Sequence, residues 1–178
     1  MPRNKSDQNR EEKRDEIVTA ARSLFIKDGF EATPINRLAR AAGVSANTIY
    51  WYFKDKDEVL VAVLDGELNA RMTEYLKVTF TNHTERLLWV VNQLEEVSLL
   101  VSTVHTRLQS SAAINVWHER FHAMTEGLLR AEMQTLGVAS EKMDALVKIS
   151  VFAVEGLLSH DVSGSDKTSI CEALATGW

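Results

Sequence analysis

Residues 35–53 read INRLARAAGVSANTIYWYF, and this stretch decides the fold. Ile35, Leu38, Ala39 and Ala42 recur at three- and four-residue spacing, which gathers them on one face of a helix. Gly43 interrupts the pattern, Ser45 offers a capping hydroxyl, and a second short helix runs to about Phe53. Small residues at 39 and 42 let the two helices approach closely, Gly43 permits the tight turn, and Val44 fills the gap beneath it. The result is a helix-turn-helix. The outer side of its second helix carries Ser45, Asn47, Thr48, Tyr50, Trp51 and Tyr52. Tyr50, Trp51 and Tyr52 are consecutive, so they cannot all enter one core. An exposed aromatic without a partner is a liability. A helix bearing amide, hydroxyl and aromatic groups suits the major groove, where base edges are read by hydrogen bonds and thymine methyls by apolar contact.

The same periodicity extends outward. Upstream, Ile17, Ala20, Ala21, Leu24 and Phe25 form the apolar face of a first helix, which Gly29 ends. Thr33 is placed to cap the second helix, with Pro34 where a missing N–H costs nothing. Residues 1–13 lack apolar anchors and read as a flexible arm. Downstream, Asp55-Lys56-Asp57-Glu58 opens a fourth helix with a box-like cap and an apolar face of Val59, Leu60, Val63, Leu64, Leu68 and Met72. Beyond Thr79 the pattern predicts a helix over 84–102, a short piece over 105–109 and a long helix over 112–136. A further helix, capped by Ser140, runs to about His160, and a last one covers 166–175. The expectation is an all-α fold of about nine helices. A helix-turn-helix domain would occupy residues 1–56, and a body for ligand binding and dimerisation residues 57–178.

Composition is consistent with this reading. Of 178 residues, 45% are hydrophobic, and only 2 prolines and 8 glycines interrupt the chain. No apolar run reaches the ~18 residues of a membrane span, the N-terminus is charged rather than signal-like, and the single cysteine, Cys171, fits a reducing cytoplasm. The net charge of −5 is uneven. Residues 1–60 hold 11 Lys/Arg against 10 Asp/Glu, a balance of +1, while residues 61–178 hold 9 against 15, a balance of −6. The acidity belongs to the body, so it does not argue against a nucleic-acid partner for the head.

The segment IVTAARSLFIKDGFEATPINRLARAAGVSANTIYWYFKDKDEVLVAVL (Ile17–Leu64) resembles the DNA-binding head of the TetR family element by element. The shared features are the AA-x-x-L-F helix, the Gly-Phe turn, the Thr before the second helix, AGVS, T-I-Y-x-x-F and the K-x-K-D-E-V-L entry to the fourth helix. Asn47 departs from the glycine common at its position. The resemblance implies that Ala46, Asn47, Thr48 and Trp51 face base edges, with Ser45 beside them. It also implies that Tyr50, Tyr52, Thr33 and Lys56 reach phosphates, the lysine at the positive end of its helix. Arg3, Lys5, Arg10, Lys13 and Arg14 would follow the DNA backbone or the minor groove.

For the body, the resemblance implies a small-molecule effector and a homodimer formed by the last two helices. Phe80, Trp89, His105, Trp117, Phe121 and Met124 are candidates to line a pocket for a mostly apolar effector. Ile149, Phe152, Gly156, Leu157, Ile170 and Leu174 are candidates for the dimer interface, with Ala145 and Ala153 on the same stripe. The implied function is a sequence-specific transcriptional repressor, released from a palindromic double-stranded DNA operator by its ligand, acting in the cytoplasm without a cofactor and without a membrane.

One motif points elsewhere. His118-Glu119-Arg120-Phe121-His122 matches H-E-x-x-H, in which two histidines on one helical face bind zinc and the glutamate acts as general base. A third ligand is required. The H-x-x-G-x-x-H continuation fails, because Thr125 and Leu128 occupy its key places. Glu141 lies downstream of the Gly137 break. No metal and no enzymatic activity are therefore expected, and a zinc-dependent hydrolase is the alternative. A second alternative is an architectural protein that binds DNA without sequence preference.

Overall fold

A computed structural model describes residues 5–177. Its described residues form nine α-helices and no strand: α1 (Lys5–Asp28), α2 (Ile35–Ala41), α3 (Ala46–Tyr52), α4 (Lys56–Tyr75), α5 (His83–Glu95), α6 (Ser98–Arg107), α7 (Ala112–Thr135), α8 (Ser140–Ser159) and α9 (Gly164–Thr176). The fold is all-α, as the periodicity predicts. No single helix is long and apolar enough to cross a membrane.

Two compact units divide the chain, residues 5–73 with 99–117 and residues 74–98 with 118–177. In the first, α1 packs on α2 and α2 on α3. Ile17, Ala21 and Phe25 of α1, Leu38 and Ala39 of α2, Ile49 of α3, and Val59, Leu60 and Val63 of α4 are buried. The Phe25 and Phe30 rings meet edge to face at 5.2 Å. The turn between α2 and α3 has a specific closure. Val44 N–H donates to Ala39 O at 2.9 Å and Gly43 N–H to Arg40 O at 3.2 Å, the paired bonds of a Schellman motif. That motif needs a left-handed residue, and Gly43 supplies it at φ 64°. Trp117, at the start of α7, is buried, and its indole N–H donates to Asp65 Oδ1 of α4 at 2.9 Å.

The second unit has two apolar centres. Leu87 and Val91 of α5, Leu157 of α8 and Cys171 of α9 form one, with Val154, Val162 and Leu174 against it. Met133 of α7 joins Met143 and Val147 of α8 in the other. Gly137, at φ 76°, closes α7 with the same paired bonds, Val138 N–H to Met133 O and Gly137 N–H to Gln134 O, both 3.1 Å.

Three sequence expectations fail here. Residues 5–13 are not an arm but the first turns of α1. Their lack of apolar anchors is compensated by good helix formers such as Glu11, Glu12 and Lys13, and by a Lys13–Glu16 ion pair. Residues 1–4, Arg3 among them, lie outside the described residues. The helix expected over 84–102 is two helices, broken at Glu96–Val97. There Glu96 N–H turns to Asn92 O and Val97 N–H to Leu94 O, each at 3.2 Å. Neither Gly nor Pro stands at the break. Finally, Ser140 does not cap α8. The N-cap is Ala139, with no side-chain hydrogen bond.

Candidate nucleic-acid interface

The seven residues of α3 are held by one cap and one anchor. Ser45 is the N-cap, and its Oγ accepts from Thr48 N–H at 3.1 Å and lies 2.9 Å from Thr48 Oγ1. This satisfies a helix-end donor and leaves the Ser45 hydroxyl engaged within the helix. Ile49 is fully buried and is the one buried residue of α3. Fixing position 49 inward turns its neighbours outward. Asn47 is exposed, as are Tyr50 at 54% and Trp51 at 62%, while Ala46, Thr48 and Tyr52 are half-buried. The Trp51 and Tyr52 rings meet edge to face at 4.7 Å.

Cations flank this surface. The Arg10 guanidinium lies 4.5 Å over the Trp51 ring and that of Arg14 lies 5.2 Å over Phe53, so the early turns of α1 bring positive charge beside α3. Arg10, expected in a flexible arm, is instead on α1 together with Arg14, and each is stacked on an aromatic ring. Lys56 opens α4. Its ammonium donates to Phe30 O at 2.9 Å and sits 3.9 Å over the Phe30 ring. Burial pushes the Lys56 pKa below the ordinary lysine value. Glu31 pulls it back up, and Arg107 adds to the fall. The turn before α4 is closed by Glu58 N–H to Asp55 Oδ1 at 3.0 Å and Lys54 N–H to Glu58 Oε2 at 2.8 Å, a reciprocal arrangement close to a capping box.

Thr33 is a correction. Pro34 is the N-cap of α2 and makes no side-chain cap bond. The Thr33 side chain is fully buried, with its hydroxyl donating to Gly29 O at 2.9 Å. A hydroxyl so placed stitches the α1–α2 turn and is not presented to a phosphate.

Arg107 of α6 was not found from the sequence. Its Nε and Nη2 bond the Asp57 carboxylate at 2.8 and 2.9 Å, its Nη1 reaches Glu31 at 3.2 Å, and its guanidinium lies 4.9 Å from the Phe30 ring centroid. Phe30 therefore receives two cations, Lys56 and Arg107. Burial pushes the Asp57 carboxyl up. Hydrogen bonds from Arg107 and Ser111, with the charges of Arg107 and Lys56, outweigh it and hold Asp57 below its ordinary value. The 50-residue separation of Arg107 from Asp57 leaves no local sequence signal.

Of the effector-pocket candidates, the structure brings Phe80 and Trp89 together, centroids 6.0 Å apart, each also against Tyr75 at 5.5 and 5.7 Å. Arg86 caps the Phe80 ring at 5.4 Å. Phe121 and Met124 are half-buried in the same unit. His105, exposed, and Trp117, bonded to Asp65, belong to the other unit. Tyr75 and Arg86 are additions that the sequence did not suggest.

The dimer candidates also separate. Ile149, Phe152 and Ile170 are exposed, Phe152 at 67%. With Ala145 and Gly156, the two α8 residues lie at spacings of four, three and four, hence on one face. Leu157 and Leu174 are corrections, because Leu157 is 4% exposed inside the α5–α8–α9 core and Leu174 packs against that core.

Residues 17–63 match the family described as "Bacterial regulatory proteins, tetR family". The transcriptional regulator HbdR of Aromatoleum sp. (strain CIB) is 33% identical over 132 residues, 68% of this chain and 58% of that protein; the chain thus spans under two thirds of that relative's length. Among solved structures, a transcriptional regulator from Rhodococcus sp. Rha1 superposes with a TM-score of 0.72 at 16% identity, covering 92% of each chain. The regulator FadR of Bacillus subtilis, in complex with stearoyl-CoA, does so with 0.62 at 21% identity, covering 92% of this chain and 98% of that one.

Proposed function

Because this chain belongs to the TetR family of regulatory proteins, we propose that it is a sequence-specific DNA-binding transcription repressor. The observation that carries the reading is α3. With Ile49 buried beneath it, Asn47, Tyr50 and Trp51 stand exposed, and the Arg10 guanidinium lies over the Trp51 ring. Ala46, Asn47, Thr48 and Trp51 read base edges, Ser45 lies alongside, and Tyr50, Tyr52, Lys56, Arg10 and Arg14 meet the phosphates. The reading domain is residues 1–56, the body is residues 57–178, and the site of action is the cytoplasm.

Two copies join through the exposed stripe of Ile149, Phe152 and Gly156 on α8 and Ile170 on α9, so that two recognition helices address a palindromic operator. A small, mostly apolar effector releases the DNA. Support comes from the Phe80–Trp89–Tyr75 cluster in the body and from the acyl-CoA in the complex of its structural neighbour. Release requires that the effector bind the DNA-incompetent arrangement more tightly than the competent one.

Selection of duplexes from a random library by the purified protein tests the proposal. An enriched palindrome, whose affinity falls as effector is added, is the expected outcome. Recovery of no preferred sequence would favour an architectural role. The hydrolase alternative is dropped, since the relatives reported above are named as transcription regulators.

A further inference from the structure

The HERFH segment of α7 has a third group that the sequence could not supply. His118 and His122 are one helical turn apart, and their Nε2 atoms lie 3.0 Å from each other. Glu155, on α8 in the same compact unit, brings a carboxylate oxygen to 3.5 Å from His122 Nε2. The ligand atoms of His118 and Glu155 also fall within 4.8 Å of each other. His118 Nε2 and Glu155 Oε1 thus both approach His122 Nε2, and His118 and Glu155 each offer a ligand atom near the other.

From this convergence we propose that His118, His122 and Glu155 form a binding site for a zinc-class divalent ion, joining α7 to α8. A tetrahedral zinc about 2.0–2.1 Å from each donor holds its ligand atoms roughly 3.3–3.5 Å apart. The two separations from His122, 3.0 and 3.5 Å, lie below and at the top of that range, and side-chain adjustment that brings His118 and Glu155, within 4.8 Å, to the same spacing closes the site. Two imidazoles and a carboxylate are a borderline donor set, which suits zinc and its first-row neighbours and does not suit magnesium or calcium, whose ligands are oxygens. The side chains of His122 and Glu155 are 21% and 37% exposed, so an ion can enter, and a fourth position stays open to water. Glu119, next to His118 in sequence, is turned off this face and takes no part as a ligand. The role is binding, with no hydrolysis implied, and it stands independently of the DNA-binding reading.

Zinc and cobalt(II) titrated into the full-length protein test the site. The wild type is expected to take up one ion per chain, to melt at a higher temperature with zinc, and to give the intense visible absorption of four-coordinate cobalt. His122→Ala and the isosteric Glu155→Gln should each weaken binding by more than about tenfold, the least expected when a direct ligand is lost. Helical circular dichroism shows that each variant is folded. Glu119→Gln and His160→Ala should bind as the wild type does. Uptake of no ion would overturn the proposal and leave the trio as a hydrogen-bonded cluster. Full affinity in folded Glu155→Gln would overturn it equally.

Discussion

At Phe30 two cations share one ring, and a carboxylate makes the arrangement stable. Lys56 and Arg107 both stack there, and Asp57 holds Arg107 through two hydrogen bonds. The Asp57 and Arg107 side chains are 15% and 25% exposed, so this bridge is better shielded than a surface pair. Arg107→Ala should therefore lower stability by about 1.5–3 kcal/mol, the range for hydrogen bonds to charged groups. The pH dependence has a definite sign. The Asp57 carboxyl sits below its ordinary value, so its contribution is complete above about pH 4 and is lost as pH falls through the folded-state value. Denaturant unfolding of wild type and Asp57→Asn should show a gap at neutral pH that narrows in acid. A gap that widens in acid would contradict the assignment. At this scale the family resemblance singled out Lys56 but not its Phe30 partner, 26 residues away, and concealed Arg107, whose partner lies 50 residues away. Thr33 misled for a related reason. A threonine before a proline reads as a cap, but a nearby carbonyl, Gly29 O, took its hydroxyl.

Among the elements, α3 is short enough that its stability comes from Ile49 and Ser45 rather than from helix propensity. Ile49→Ala should cost about 2–5 kcal/mol as a buried large-to-small change, and Ser45→Ala about 0.5–2 kcal/mol as a lost cap. Thermal or denaturant unfolding checks both, and an unaffected Ile49→Ala would mean that α3 is not anchored this way. Elements bounded by glycine were legible, since Gly43 and Gly137 adopt the left-handed turns that end α2 and α7. The α5–α6 break was not. Glu96 and Val97 carry no breaker signal, and the apolar pattern runs through them. On α8 the stripe was correctly periodic, yet periodicity cannot separate an intrachain face from an exposed one. The fold buries Leu157 and leaves Phe152 outside. Phe152→Glu should thus convert a dimer to monomers in sedimentation at micromolar concentration while leaving the helix content unchanged. A wild-type chain already monomeric there would defeat the interface.

For the whole molecule, the central claim is that α3 reads sequence while Lys56 and its neighbours supply charge attraction. The head was legible almost residue by residue, because its turn, cap and anchor are local. The body was legible only as helices, because its packing depends on contacts between distant segments. The two kinds of DNA contact fail differently. A base-reading side chain contributes discrimination, about 1–3 kcal/mol for a good contact, whereas a phosphate contact weakens all duplexes alike and lowers the salt slope by about one. The direct measurement is competition binding of Asn47→Ala, Trp51→Ala and Lys56→Ala against operator and scrambled duplexes across a range of salt. Asn47→Ala and Trp51→Ala should lose affinity for the operator far more than for scrambled DNA, and Lys56→Ala should lose both similarly with a shallower salt dependence. Equal losses for both duplexes in folded Asn47→Ala and Trp51→Ala would contradict α3 as the reading element.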